Sequence, residues 1–303
     1  MLISILICTR NRAEKLRRTL EAICALEVPI GVDYEVLVME NGPENGQAAG
    51  PCEQLESSFH GRLRKFHLPV SGKSNAANSG FAMSRGEIIA FLDDDILPRH
   101  NWLSVISQEF ASDAELGAIS GPVELLNKED LPIGIRRHDG RAVFSYVTDA
   151  YNLFAGGNFA VRRAIVEKIG LFDPNLGPGR PIATNEDVDF FYRAWRAGQK
   201  LVYVPSLYVY HGHGRRLHRE ELDIKRAYTV GRGAFFAKHV LHGDPTLTRT
   251  IRWEIQSEVR SFFHGDGASL RRLGWLASGF LRYSLIRASQ AMRPPATLAP
   301  RPR

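Results

Sequence analysis

In the first hundred residues, short strand-like segments alternate with segments of helical periodicity. The strand-like segments are residues 2–8 (LISILIC), a nearly continuous apolar run, 34–41 (YEVLVMEN), 62–68 (RLRKFHL) and 87–92 (EIIAFL). A run that is apolar at almost every position suits a strand covered on both faces. After the first run, Leu16, Leu20, Ile23 and Leu26 recur at spacings of three and four, the stripe of a helix that covers one of those faces. Further helix candidates follow at 50–59, 74–86 and 101–112, with Gly86 expected to end the second of these. This alternation predicts an α/β fold with a mostly parallel sheet flanked by helices. Such sheets bind ligands beyond the carboxyl ends of their strands. Three exits at that edge are polar here: Thr9-Arg10-Asn11, Glu40-Asn41-Gly42 and Asp93-Asp94-Asp95. One polar exit would mean little, but three of them, with acids in two, describe a shared crevice.

The triplet Asp93-Asp94-Asp95 needs a physical reason. Two like charges ~4 Å apart repel by about 4 kcal/mol at an effective dielectric of ~20. A solvated turn relieves much of that, and a divalent cation relieves more. Side chains alternate along a strand, so Asp93 and Asp95 are expected to converge while Asp94 points elsewhere. Carboxylate oxygens suit Mg2+ or Mn2+, and Mg2+ is usually shared between one or two carboxylates and substrate phosphates. That implies a diphosphate substrate. The same residues also read as an acidic turn before a helix starting near Pro98, where negative charge is welcome.

Beyond residue 116 the pattern loosens. Residues 116–125 read as a strand. Residues 141–170 read as one or two strands, a Gly156-Gly157 turn and a helix from about Arg163. Residues 173–185 form a Gly/Pro-rich loop, and 200–214 two short strands split by Pro205. Between them, EDVDFFYRAWRAG (186–198) is a helix with Asn185 as its expected N-cap and Gly198 at its end. Glu186 and Asp187 suit the first turn as partners of the helix dipole. Helical spacing nevertheless separates them. Glu186 leads a mostly polar row with Asp189 and Arg193, whereas Asp187 leads Phe190, Phe191 and Ala194. Asp187 is therefore expected to face the protein body, where burial raises a carboxyl pKa, as a general base requires.

Five stretches occur in order: SILICTRNRAEKLRRTL, VLVMENG, NAANSGFAMSRGEIIAFLDDDILP, FAGGNFAVRRAIVEKIGLFDPNLG and NEDVDFFYRAWRAGQKLVYVPSLYVYH. Together they resemble the large family 2 of inverting, nucleotide-sugar-dependent glycosyltransferases, over about residues 3–211. The resemblance implies a GT-A, Rossmann-like fold. It implies transfer of a sugar from a nucleotide-diphosphate donor to an acceptor hydroxyl with inversion, aided by Mg2+ or Mn2+, in the assembly of cell-surface polysaccharide or glycolipid. It places Thr9, Arg10, Asn11 and Arg12 at the diphosphate. Glu40 falls at the base-contacting position, where the family more often has Asp. Lys73 and Asn78 lie in the stretch that flanks the nucleotide. Asp93, Asp94 and Asp95 match the Asp-x-Asp motif, with Asp93 and Asp94 on the nucleotide-sugar side and Asp95, joined by Asp93, on the metal. Gly156, Gly157 and Asn158 match the acceptor-side wall. Asp187, with Glu186 beside it, matches the catalytic base. His211 or His213 matches a histidine that adds a metal or phosphate contact in some relatives, although His211 also reads as a core histidine at a strand end. Arg215 or Arg216 would complete the phosphate clamp. Two competing readings are a nucleotidyltransferase and a non-catalytic sugar-nucleotide or glycan-binding protein on the same fold. The former usually carries a glycine-rich basic loop after the first strand, and TRNRAEKL has no glycine. Two intact carboxylate clusters argue against the latter.

Charge divides the chain. Residues 212–303 carry 17 Lys/Arg against 7 Asp/Glu, and the preceding 211 carry 22 against 26. The expected organisation is a catalytic domain over 1–211, a basic helical extension over 212–292 and a disordered tail over 293–303. The extension reads as three helices, 219–241, 246–264 and 268–292. In the last, Leu273, Leu276, Phe280 and Leu281 fall at helical spacings among Arg271, Arg272, Arg282 and Arg287, with Trp275 and Tyr283. That composition suits an interfacial helix on an anionic membrane, and equally a surface that packs on the catalytic domain or on a second copy in a homo-oligomer. The expected partners are a nucleotide-sugar donor, a glycan or lipid-linked acceptor and a membrane surface met peripherally through the tail, with no nucleic acid. No apolar run approaches the ~18 residues of a membrane span. The apolar start MLISILIC is too short for a signal sequence and reads as a strand. Cys8, Cys24 and Cys52 show no metal-ligand spacing and suggest a reducing compartment. The expected location is the cytoplasm or the cytoplasmic face of the membrane.

Overall fold

The computed structural model describes residues 1–43 and 46–291, so the tail expected at 293–303 lies outside the described residues. The strand-like segments form β1 (Leu2–Thr9), β2 (Asp33–Asn41), β3 (Leu63–Leu68) and β4 (Ile88–Asp93). They alternate with α1 (Ala13–Cys24), α2 (Ala49–Phe59) and α3 (Lys73–Met83). β1 lies parallel to β2 on one side and to β4 on the other, with Ile5 opposite Val36 and Ala90. Cover on both faces explains why Ile3, Ile5, Leu6 and Ile7 are all buried. Each such side chain contributes about 2 kcal/mol as an upper value. Leu16, Leu20 and Ile23 of α1 and the following Leu26 join the same core.

The chain turns through Asp94 and Asp95 into β5 (Ile96–Pro98). It continues through α4 (Trp102–Ser112), β6 (Leu116–Ser120), β7 (Val123–Leu125), β8 (Ala142–Val143), α5 (Asp149–Asn152), β9 (Asn158–Arg162) and α6 (Arg163–Ile169). Then come α7 (Glu186–Arg196), β10 (Lys200–Tyr203) and β11 (Val209–His211). The large sheet has the order β3-β2-β1-β4-β9-β6-β10-β8. It is parallel except for β9, which runs against both β4 and β6, and the edge strand β8. A second sheet has the order β5-β11-β7.

Two local expectations are corrected. The single strand expected at 116–125 is two strands in different sheets. At the crossing, Gly121 packs so tightly that a Cβ would lie 2.1 Å from the Leu207 carbonyl oxygen. Gly86 does not end α3, which stops at Met83 with Ser84 extended (φ −78°, ψ 153°). Gly86 instead permits close approach to β1, where a Cβ would lie 2.6 Å from the Ser4 nitrogen. The reason is a buried polar knot. The Gly86 N–H donates to Ser4 Oγ, Ser4 donates to Glu35, and Glu35 also accepts from the Arg85 N–H and from Arg64.

The chain forms two compact units, Met1–Lys225 and Arg226–Arg303, the second described as far as Ala291. Their boundary falls inside α8 (His218–Leu241), and α9 (Thr246–Phe263) and α10 (Ala268–Ala291) follow. In the second unit, Gly233 of α8 and Gly279 of α10 let two backbones touch. A Cβ at either would lie 1.9 Å from the Leu276 carbonyl oxygen or 1.8 Å from that of Val230. Arg232 and Glu254 tie α8 to α9 at 2.9 Å, and Arg272 and Glu258 tie α10 to α9 at 2.7 Å. No described helix is long and apolar enough to cross a membrane.

Candidate active site

The polar exits of β1 and β4 interlock. Thr9 donates its hydroxyl to Asp94 Oδ2 at 2.7 Å, and Thr19 on α1 donates to the Asp94 carbonyl at 2.9 Å. Arg12 reaches Asp94 Oδ1 at 3.0 Å and Asp95 Oδ2 at 3.2 Å. Lys15, one turn along α1, also contacts Asp95 Oδ2 at 3.2 Å and donates to the His213 carbonyl at 2.9 Å. On the other side of Asp95, His211 at the end of β11 sets Nε2 3.3 Å from Oδ1, and its buried Nδ1 has no hydrogen-bond partner among the described residues. Burial pushes the carboxyl of Asp95 up, but His211, Arg12 and Lys15 outweigh it and hold it well below the usual range. Asp94 goes the other way. Its burial, with Asp95 and Asp93 nearby, outweighs Arg12 and Thr9 and raises its pKa.

Asp93 belongs to a different group. It ends β4, whereas Asp94 and Asp95 lie in the turn beyond, so strand alternation does not carry Asp93 and Asp95 to common partners. The Lys73 ammonium at the start of α3 pairs with Asp93 Oδ1 and lies 3.8 Å from Glu186 Oε1. Burial alone would lower the Lys73 pKa, but Asp93, Glu186 and Asp187 drive it upward. Lys73, Glu186 and Asp187 line a small cavity together with the rings of Phe91, Phe159 and Phe172. Phe91 and Phe159 stack with centroids 4.4 Å apart, which gives the cavity an apolar floor.

Of the adjacent acids that open α7, the buried one is Glu186, not Asp187. Glu186 is 7 % exposed, and burial followed by the neighbouring Asp187 raises its pKa to about 8 despite Lys73. Asp187 is only half-buried. The loop before α7 explains the difference. Gly177 (φ +99°) lies over Glu186, where a Cβ would come within 3.1 Å of its carboxyl carbon. Asn185 is not a side-chain cap. It is left-handed (φ 71°), and its amide engages Tyr151 at 3.3 Å and Thr184 at 3.1 Å. Asp187 Oδ1 accepts the Val188 N–H at 2.8 Å, and Oδ2 accepts the Gly156 N–H at 2.9 Å. Gly156 and Gly157 thus separate the two acidic groups. A Cβ on Gly156 would lie 2.7 Å from Asp187 Oδ2, and one on Gly157 would lie 2.8 Å from Asp93 Oδ2.

The remaining candidates are dispersed. Glu40 is buried and accepts the Ala48 N–H at 3.0 Å and the Gly46 N–H at 3.3 Å. Asn78 spends both ends of its amide on the Phe172 backbone, each at 2.9 Å. Asn158 is fully buried and holds Trp102 and the carbonyls of Pro122 and Leu207. Arg10 is exposed, and Asn11 has a positive φ of 54°. His213 engages the Leu131 carbonyl at 3.0 Å, and Arg216 pairs with Glu129 and Asp130. Lys15 was missed from the sequence. Its spacing of three from Arg12 on one helix face was the available signal.

A family model described as "Glycosyl transferase family 2" matches residues 4–170, more than half of the chain. The chain belongs to glycosyl transferase family 2. A second model, "Glycosyl transferase family group 2", matches residues 88–289. The chain is 27% identical over 262 residues to the pre-mycofactocin glycosyltransferase of Mycobacterium tuberculosis, covering 82% of this chain and 50% of that one. It therefore spans about half the length of that curated relative. Among solved structures, S. aureus TarS 1-349 in complex with UDP-GlcNAc aligns over 97% of this chain and 93% of its own, with a TM-score of 0.59 and 15% identity. The mannosyltransferase PcManGT from Pyrobaculum calidifontis, in complex with GDP-Man and Mn2+, aligns over 95% of this chain and 79% of its own, with a TM-score of 0.58 and 17% identity. These likenesses show the GT-A fold.

Proposed function

We propose that this glycosyltransferase moves a sugar from a nucleoside diphosphate to an acceptor hydroxyl with inversion at C1, with Asp187 as general base. The observation that carries the reading is the Gly156-Gly157 turn, which sets the Asp187 carboxylate on one side and the Asp93–Lys73 pair on the other. The acceptor oxygen attacks C1 while the bond from C1 to the diphosphate oxygen breaks. The electron pair of that bond leaves on the diphosphate, and the hydroxyl proton passes to Asp187. Attack from the side opposite the leaving group inverts C1. The transition state has oxocarbenium character, as in glycoside hydrolysis. The Gly156 N–H fixes the orientation of Asp187, and the N-terminus of α7 favours its negative charge. Lys73, Arg12 and Lys15 bring positive charge to the edge where negative charge grows on the leaving diphosphate.

The residues at the rim fit Mg2+ or Mn2+. Two ligands at right angles, each about 2.1 Å from a cation, lie about 3 Å apart. His211 Nε2 and Asp95 Oδ1 are 3.3 Å apart. No group of three or more His, Cys, Asp or Glu side chains among the described residues is placed to hold a metal ion. Asp95 and His211 would therefore hold the ion jointly with diphosphate oxygens and water. Bound there, a divalent ion supplies Lewis-acid stabilisation of the leaving diphosphate.

The ligands of the two structural neighbours support a nucleoside-diphosphate sugar as donor class. A further relative, the succinoglycan biosynthesis protein ExoM of Rhizobium meliloti, 28% identical over 214 residues, supports a role for this chain in cell-surface polysaccharide or glycolipid assembly with a glycan or lipid-linked acceptor. The test is a thermal-shift screen of UDP-, GDP- and dTDP-sugars with and without Mn2+, followed by NMR of the product's anomeric configuration. The expected result is one nucleotide with a metal-enhanced shift and a product of inverted configuration. A product of retained configuration would overturn the proposal.

A further inference from the structure

The second unit sorts its charge across α9. At 3.6 residues per turn, Arg249, Arg252, Trp253, Gln256, Arg260 and Phe263 fall within an arc of about 100°. All six are exposed, Trp253 at 61 % and Phe263 at 79 %. Ile255, Val259 and Phe262 are also exposed and extend the face along one flank. The two acids of α9, Glu254 and Glu258, lie on the opposite side, half-buried and paired with Arg232 and Arg272. Among the described residues none of Arg249, Arg252 and Arg260 is ion-paired. The outward face is therefore cationic and aromatic with no carboxylate on it.

A surface helix built for water would show acids among those arginines and would not expose Trp and Phe. A protein core partner would not welcome three uncompensated guanidinium groups. An anionic bilayer satisfies both halves, because lipid phosphates pair with arginine and the headgroup boundary accepts aromatic rings. α10, the helix that the sequence favoured for this role, has partly spent its apolar stripe. Leu276, Gly279 and Tyr283 are buried, with Gly279 pressed against Val230 of α8.

We propose that the outward face of α9 docks the protein on an anionic lipid bilayer, with Trp253 and Phe263 seated at the headgroup boundary and Arg249, Arg252 and Arg260 on lipid phosphates. The experiment is co-sedimentation of the full chain with vesicles of phosphatidylcholine alone or mixed with phosphatidylglycerol. It is read beside Trp253→Ser/Phe263→Ser and Arg249→Gln/Arg252→Gln/Arg260→Gln variants. All five positions are exposed, so both variants should keep the wild-type melting temperature. The expected result is binding to the anionic vesicles that weakens with salt, and that falls about tenfold or more in each variant. Brominated acyl chains should quench tryptophan fluorescence in the wild type and lose most of that effect in Trp253→Phe. Equal binding to neutral vesicles, or undiminished binding by the Trp253→Ser/Phe263→Ser variant, overturns the proposal. Binding that follows the arginines alone, without quenching, also overturns it, because Trp253 and Phe263 are then not seated at the headgroup boundary. The readout is vesicle binding, not sugar transfer, so its outcome is separate from that of the proposed reaction.

Discussion

The adjacent acids Glu186 and Asp187 show how little sequence separation says about environment. The helical row that led Asp187 toward Phe190 and Phe191 suggested that Asp187 would be the buried one. The structure buries Glu186 instead, because the loop through Gly177 closes over it, and no periodicity along α7 encodes where that loop lies. Burial of Glu186 has a consequence for stability. Its pKa rises from 4.5 to about 8, so between those values the folded state holds a proton that the unfolded chain has lost. The stabilisation is complete below pH 4.5 and is lost as pH rises through 8. The slope is at most about 1.4 kcal/mol per pH unit. Glu186→Gln should flatten the dependence of melting temperature on pH in that window relative to the wild type. Parallel wild-type and Glu186→Gln profiles would show that the carboxyl does not carry this proton. Lys73→Met leaves Asp93 and Glu186 without their shared cation. One fifth of the Lys73 side chain reaches solvent, so the loss should be about 2 kcal/mol, less than for a fully buried pair. Urea denaturation measures it.

At the scale of elements, glycines mark the places that hydrophobic patterning could not reach. The Gly156-Gly157 turn was visible as a dipeptide, but not that each glycine faces a carboxylate. Gly156→Ala forces Asp187 to move, and a displacement near 1 Å can cost about 10²-fold in rate. The expected outcome is a fall in turnover of at least tenfold with the melting temperature little changed. Gly233 and Gly279 were not singled out at all, because a contact between α8 and α10 is invisible along either helix. Gly233→Ala or Gly279→Ala should destabilise the second unit by about 1–3 kcal/mol. Gly274→Ala on the same α10, where a Cβ meets nothing within 4 Å, should instead be neutral or stabilise by up to about 1 kcal/mol. Thermal unfolding followed by circular dichroism separates these cases. The strands were legible for the opposite reason. Runs such as residues 2–8 and 87–92 declare burial on both faces, and that property is local. The antiparallel insertion of β9 between β4 and β6 is not local, and nothing in residues 158–162 announced it.

For the whole molecule, the order of motifs carried more than any single motif. Five short stretches spread over two thirds of the chain pointed to a family-2 glycosyltransferase, and the family match and the GT-A sheet agree with them. The candidate site was legible at the strand exits as a meeting of side chains, since Thr9, Arg12, Asp94 and Asp95 do contact one another. It was less so elsewhere, because Glu40, Asn78 and Asn158 hold backbone and core groups that only the folded chain brings to them. If the ion expected between Asp95 and His211 serves the leaving diphosphate, chelation by EDTA should abolish transfer, and Mn2+ should restore it. The central claim is that Asp187 takes the acceptor proton. The most direct measurement is the turnover of Asp187→Asn beside its donor-induced thermal shift. The account predicts an unchanged shift with a loss of about 10²–10⁴ in turnover. Wild-type turnover by Asp187→Asn would contradict it.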